Sequence, residues 1–119
     1  MRYLGLIYYD EAKLDTLSPS EYAALIEEAV AYNEELKMAG HYIDANQLEP
    51  VRTAATVRVR NGKLSATDGP FAETKEQLGG YIVLEAADLN EAIRIASRFP
   101  PARFGSIEVR PIKNFGPTS

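Results

Sequence analysis

Histidine is the residue type whose ordinary pKa suits proton transfer near neutral pH, and the chain has one, His41. A carboxylate that orients the imidazole would complete an acid-base pair. The sequence offers Asp44, three residues on, and Asp68, which precedes Gly69-Pro70. We take His41 and Asp68 as candidate catalytic residues. The alternative roles are structural: a half-buried histidine bonded at a helix-to-strand junction, and a turn aspartate that binds nearby backbone amides.

A charged run directly after this turn is a candidate anion-binding element. Glu73, Lys75 and Glu76 lie close together, and an ammonium between carboxylates can bind a negatively charged substrate group or hold a protonated acid. Such runs are more often solvated helical turns with exposed ion pairs, each contributing less than about 1 kcal/mol. We expect Glu73 and Lys75 to bind substrate only if they point into a cleft.

Asn33 and Arg110 are two further candidates for binding substrate. Asn33 falls on an apolar stripe with Ala29 and Leu36, so its amide either ties down a neighbouring strand or lines a cavity. Arg110 shares a parity with Glu108 on the last predicted strand. If that face points to the protein interior, Arg110 can clamp a carboxylate; otherwise it is an edge charge that discourages aggregation.

The composition excludes several kinds of site and partner. With no cysteine and one histidine, the 119-residue chain has no disulfide, thiolate metal site, cysteine nucleophile or paired-histidine metal motif. Its glycines lack the spacing of a phosphate loop or dinucleotide fingerprint, so we expect neither metal nor cofactor. The net charge of −4, spread over interspersed acidic and basic residues, gives no reason to expect nucleic acid or membrane as a partner.

Length and hydropathy are typical of a single-domain cytoplasmic protein. We expect one core within residues 1–113 and a flexible C-terminal tail at 114–119, which is rich in Gly, Pro and Ser. The longest apolar run, Tyr3–Tyr9, is too short to span a bilayer and lacks a basic leader.

The elements that position the candidates begin with a strand and a long helix. Residues 2–9 are apolar at both alternating positions, which is typical of a strand buried on two faces. Residues 18–21 supply an N-cap, a first-turn proline and a capping-box glutamate. The helix that they start runs to about Ala39, before Gly40.

A hairpin interrupts the rest of the pattern. After a short strand within residues 41–48, the dipeptide Asn61-Gly62 predicts a type I′ turn between strands at 53–60 and 63–67. A doubly apolar strand at 80–86, a helix capped by Asp88 and a strand at 106–112 follow.

This order predicts an α+β protein: a ferredoxin-like βαββαβ fold with an inserted β-hairpin. Two helices cover only one face of such a sheet, although the strands at 2–9 and 80–86 are apolar on both faces. A large bare apolar face is uncommon on a monomer. We therefore predict a homodimer in which two sheets pack face to face.

The string DGPFAETKEQLGGY at residues 68–81, with DLNEA at 88–92 and GSIEVRP at 105–111, closely resembles the DGPF proteins of the YCII-related family. The likeness covers nearly the whole chain and implies a ferredoxin-like fold in a dimeric α/β-barrel. It implies no particular reaction, although a few relatives resemble ring-dehalogenating or lactone-isomerising enzymes. It also implies an association with sigma factors.

The wider family is credited with a His-Asp pair whose histidine lies on the first helix. Here the predicted helix at 19–39 has no histidine and His41 lies just beyond it, so the pair carries over only in altered form. Two functions remain open. One is cofactor-independent acid-base chemistry on a small cyclic or carboxylated metabolite, with His41 and Asp68 moving protons and Lys75 binding negative charge. The other is a non-catalytic ligand-sensing or protein-binding module linked to sigma-factor regulation.

Overall fold

The computed structural model describes residues 1–116 as one four-stranded antiparallel sheet, a separate two-stranded hairpin and three helices. The predicted elements form close to their expected bounds, because caps, turn residues and apolar periods agree with one another. The strands are β1 Arg2–Tyr9, β2 Tyr42–Gln47, β3 Ala55–Arg60, β4 Lys63–Asp68, β5 Gln77–Glu85 and β6 Ser106–Pro111; the helices are α1 Glu11–Asp15, α2 Pro19–Ala39 and α3 Leu89–Ser97.

The main sheet has the strand order β2-β5-β1-β6, with every neighbouring pair antiparallel. Leaving out the β3-β4 hairpin, this is the order of the ferredoxin-like fold, so the predicted fold class is confirmed. The principal extents of 47 × 46 × 19 Å fit one sheet with a single helical layer on it.

Both long helices lie on one face of the sheet. Ile82 and Leu84 of β5 are almost fully buried there, together with Tyr32 of α2 and Phe99 just after α3. The Tyr32 and Phe99 rings meet edge to face at 4.7 Å, and the Tyr32 hydroxyl donates a 2.7 Å hydrogen bond to the Ile95 carbonyl. These contacts fasten the C-terminal half of α2 to the core.

The opposite face of the sheet has no layer in the described part of the chain. The register places Leu4, Leu6 and Tyr8 of β1 on it, beside Tyr81 and Val83 of β5. All five side chains are half-buried. We call these residues the open sheet face.

The β3-β4 hairpin forms a second sheet of its own. Asn61 and Gly62 take positive φ angles of 51° and 73°, as the predicted turn requires. Cross-strand pairing puts the apolar side chains on one face, where Val57, Val59 and Leu64 are 62%, 58% and 71% exposed. An isolated two-stranded ribbon is marginally stable, so this face needs a covering layer.

The start of α2 carries the predicted capping box. The Glu21 amide donates to Ser18 Oγ at 3.1 Å, and the Ser18 amide donates to Glu21 Oε1 at 2.9 Å. The hydrogen bond from the Ser18 backbone holds the pKa of the Glu21 carboxyl below its ordinary value. Because the folded pKa is the lower one, this contribution is present at neutral pH and is lost as the pH falls through that folded value.

Ser18→Ala is expected to lower the free energy of unfolding by about 1 kcal/mol, since one amide of the first turn loses its acceptor. Urea unfolding at pH 7 measures the loss. Ser20→Ala is the matched control: its hydroxyl lies 3.1 Å from Ser18 Oγ but accepts from no backbone amide in the described chain, so it should change the unfolding midpoint by much less. Equal effects of the two substitutions would contradict the role of the cap.

Three regions differ from the prediction or add to it. The charged stretch before Ser18 contains α1, a five-residue helix whose N-cap Asp10 accepts from the Ala12 amide. A 3-10 turn at Pro100–Arg103 follows α3. Residues 117–119 of the expected flexible tail lie outside the described residues, and the boundary at residue 113 stays a prediction.

Among the described helices, none combines the length and apolarity needed to cross a membrane.

Candidate functional site

A cavity of about 260 Å³ lies between the sheet and the part of α2 that runs from Tyr22 to Asn33. The 3-10 turn after α3 closes one side, and the mouth opens to solvent beside α2. The walls are mainly aliphatic and aromatic. They include Ile7, Tyr9, Tyr22, Leu25, Ile26, Ala29, Val30, Asn33, Gln47, Gly79, Ile82, Phe99 and Phe104.

Uneven packing of α2 creates this space. In its C-terminal half Tyr32 and Leu36 are buried in the core, whereas no residue of its N-terminal half is buried. Ile26 and Val30 line the cavity and are 38% and 54% exposed. An apolar stripe that continues along the helix is therefore packed at one end and stands away from the sheet at the other.

The floor of the cavity depends on a glycine in β5. A Cβ atom on Gly79 would collide with the ring of Tyr9, which lies against the strand at this point. The pairing of β1 with β5 shifts register here, between Ile7 and Tyr8. The absent side chain leaves the space that the Tyr9 ring occupies.

Asn33 lies on the cavity wall, as one of its two predicted roles requires. Its Oδ1 atom is buried and accepts no hydrogen bond within the described chain. The carbonyl oxygen of an amide has two lone pairs, and leaving a buried acceptor unpaired costs about 1–3 kcal/mol. The wall of the mainly apolar cavity therefore contains one buried acceptor that no described group uses.

A second polar group lies at the sheet side of the cavity. Gln47 Nε2 donates to the Tyr22 hydroxyl at 3.3 Å, and the Tyr9 hydroxyl donates a long 3.5 Å bond to the Gly79 carbonyl. Burial raises the pKa of Tyr9, partly offset by a hydrogen bond from Gln47. Tyr9 therefore stays protonated at neutral pH, where it is a hydrogen-bond donor and no base.

No described residue lining the cavity is Asp, Glu, His, Lys or Arg. The cavity thus lacks a side chain that changes protonation near pH 7, and it lacks a charge that would pair with an ionic ligand. Its chemistry suits binding by shape, apolar contact and neutral hydrogen bonds.

The candidate catalytic residues do not line the cavity, and along the chain they lie on opposite sides of β2. His41 precedes β2, where its Nδ1 lies 2.9 Å from the Glu85 carbonyl oxygen. Asp68 ends β4 at the base of the hairpin, beyond the opposite end of β2, and is exposed. Within residues 1–116 no hydrogen bond or ion pair joins them, so their role in catalysis stays a prediction.

The other candidates are also distributed over the surface. Glu73 and Lys75 are exposed in the irregular segment between β4 and β5, so the helical turn expected there does not form. Arg110 lies on the open sheet face because it pairs with Leu4, and its Nε is 3.7 Å from Glu108 Oε2. The interior-facing alternative for Arg110 thus depends on what covers that face.

The open sheet face also carries a polar cluster that the sequence analysis did not identify. The Tyr81 hydroxyl donates to Asp44 Oδ2 at 3.0 Å and accepts from Asn46 Nδ2 at 3.0 Å. Asp44 and Asn46 are two apart on β2 and so share a face, which was a usable signal. Asp44 was considered only as a partner for His41. Its contact with Tyr81 depends on the register between β2 and β5, which the residue pattern alone does not predict.

Comparisons with known proteins agree with the sequence resemblance. The model of the YCII-related domain matches residues 1–116. The chain is 36% identical to “Uncharacterized protein R00369” of Rhizobium meliloti (strain 1021), over 98% of this chain and 96% of that protein. Among solved structures, a match with 18% identity and a TM-score of 0.49 covers 95% of this chain and 94% of the other. That chain is the 5-chloro-2-hydroxyhydroquinone dehydrochlorinase of Burkholderia phenoliruptrix AC1100 in complex with 2,5-dihydroxybenzoquinone.

Proposed function

The chain belongs to the YCII-related family, and we propose that it is a homodimeric protein that binds a small, largely apolar molecule in the cavity beneath α2. Of the two functions left open by the sequence, ligand binding is better supported than proton transfer. The supporting observation is the cavity wall, in which no described residue is charged or titrates near neutral pH.

The size of the cavity favours a ligand with one ring. An apolar cavity of about 150 Å³ is enough to hold benzene. The cavity here measures about 260 Å³, which leaves room for a substituted ring. Aromatic walls from Tyr9, Phe99 and Phe104 suit such a ligand, because each offers a flat apolar surface at little cost in side-chain entropy.

Ala29→Phe tests this proposal because Ala29 lines the cavity at the midpoint of α2. The added ring is expected to fill the space and to weaken toluene binding by at least about tenfold, a loss of about 1.4 kcal/mol. Isothermal titration calorimetry with toluene measures the affinity. The matched control is Ala24→Phe, an exposed position on the opposite side of the same helix.

Toluene should bind the wild-type protein and Ala24→Phe with similar affinity. If the wild-type protein does not bind toluene, or if Ala29→Phe binds it unchanged, the cavity is not the site. Thermal unfolding of both variants shows whether each is folded.

The homodimer is proposed on two uncovered apolar surfaces. One is the open sheet face, and the other is the apolar face of the β3-β4 hairpin with Val57, Val59 and Leu64. A second copy with two-fold symmetry supplies a layer for both, because each copy offers the same pair of surfaces. Light scattering at micromolar concentration should give twice the chain mass of 13.1 kDa.

Proton transfer by His41 and Asp68 and association with a sigma factor stay predictions. Both bear on what the protein does once the ligand is bound. A double substitution, His41→Gln with Asp68→Asn, separates proton transfer from ligand binding: toluene affinity is expected to be unchanged, since neither residue lines the cavity.

A further inference from the structure

We propose that the natural ligand is electrically neutral and carries a hydroxyl or N–H group that donates a hydrogen bond to Asn33 Oδ1. This inference rests on the proposed function, since it concerns the same cavity. It adds the chemical class of the ligand and the residue that selects it.

The first step is the position of the amide. Asn33 lies one turn after Ala29 on the stripe of α2 that faces the sheet, so its side chain enters the cavity from the helix wall. Its Oδ1 is buried and has no donor in the described chain. Most buried polar groups in proteins have a partner, and a lone exception beside an empty space points to a partner that occupies that space.

The second step is the nature of the surroundings. The walls around the amide are mainly apolar and offer Oδ1 no competing donor, so a hydrogen bond from the ligand would form in a poorly hydrated site. A site built to hydrogen-bond a hydroxyl discriminates strongly against an analogue that lacks it, because the buried acceptor is then left unpaired. Asn33 is therefore a specificity-determining residue.

The third step excludes anionic ligands. A carboxylate placed in the cavity would lose its hydration without gaining a cation, which is strongly unfavourable. Lys75 and Arg110, the cations considered for an anionic substrate, lie elsewhere on the surface. Of the two metabolite types considered from the sequence, this cavity suits the cyclic one and not the carboxylated one.

The experiment compares phenol with toluene, which are nearly equal in size and differ by a hydroxyl in place of a methyl group. Calorimetric affinities are measured for the wild-type protein and for Asn33→Leu, which keeps the number and branching of the side-chain heavy atoms and removes the acceptor. The ratio of phenol to toluene affinity is expected to be about five- to tenfold higher in the wild-type protein than in the variant. Benzoate is expected to bind the wild-type protein at least about tenfold more weakly than phenol.

The outcomes of this experiment distinguish the role of Asn33 from the proposed function, which is ligand binding in the cavity. Toluene binding by both proteins shows that the cavity is intact, so an unchanged ratio then overturns the role of Asn33 alone. Binding of benzoate as tight as that of phenol overturns the neutral class. If neither probe binds the wild-type protein, the proposed function fails and this inference fails with it.

Discussion

Replacing Ile82 by alanine is expected to lower the free energy of unfolding by about 2–5 kcal/mol, the range for removing a large aliphatic side chain from a packed core. Ile82 is 0% exposed at the centre of β5. Gly5 of β1 leaves room for it: a Cβ on Gly5 would lie 3.0 Å from Ile82 Cγ2. The truncated side chain would leave a void that two neighbouring strands cannot close, because their backbones are hydrogen-bonded to each other.

Urea unfolding at a fixed protein concentration measures this loss, since the stability of a dimer depends on concentration. Ile93→Ala is the matched control: the same substitution on α3, where the side chain is 49% exposed. It is expected to cost less than about 1 kcal/mol. Similar losses for the two variants would mean that Ile82 is not at the centre of the folding core.

Leu6→Lys is expected to convert the proposed homodimer to monomers. Leu6 lies in the middle of the open sheet face, with Tyr81 on one neighbouring strand and Glu108 on the other. An ammonium there would be taken out of water at the interface. Even with Glu108 beside it the cost is several kcal/mol per dimer, because a buried ion pair does not regain the hydration that both charges lose. The dissociation constant should therefore rise by at least about 100-fold.

Light scattering should then return the 13.1 kDa chain mass for Leu6→Lys at concentrations where the wild-type protein has twice that mass. Leu89→Lys serves as control, because Leu89 is 44% exposed on α3, on the other side of the sheet. This variant should remain dimeric. A wild-type protein of single-chain mass would refute the dimer, and a Leu6→Lys dimer would place the interface elsewhere.

Local signals were sufficient to predict the fold. Ser18 and Glu21 form the capping box, Gly40 ends α2 with a φ of 82°, and Asn61-Gly62 forms the hairpin turn. Each acts within four residues of chain, where sequence and geometry are directly linked. The order of the elements then left few ways to arrange the sheet.

The site was predictable only in part, because it depends on distances between elements. Asn33 was identified from its place on an apolar stripe, and the stripe predicts that such a residue is enclosed. The stripe does not predict the distance between α2 and the sheet. That distance decides whether Asn33 is packed against the sheet or faces a cavity. His41 and Asp68 show the opposite case: their residue types suit proton transfer, but one precedes β2 and the other comes after it, beyond the hairpin.

The unequal attachment of α2 has a consequence for motion. Its C-terminal half is joined to the rest by the Tyr32 hydrogen bond and by a two-bond Arg98–Glu35 ion pair. Nearer the middle of the helix, Glu28 forms a two-bond ion pair with Arg103. The first turns, which precede Glu28, meet the sheet through a 3.3 Å contact between Tyr22 and Gln47. Amides near the start of the helix should exchange with deuterium through local opening, at a free energy well below that of global unfolding, and those near Leu36 should exchange last. A ligand can thus enter the cavity when the first turns of α2 unfold locally, while the rest of the helix stays packed on the sheet.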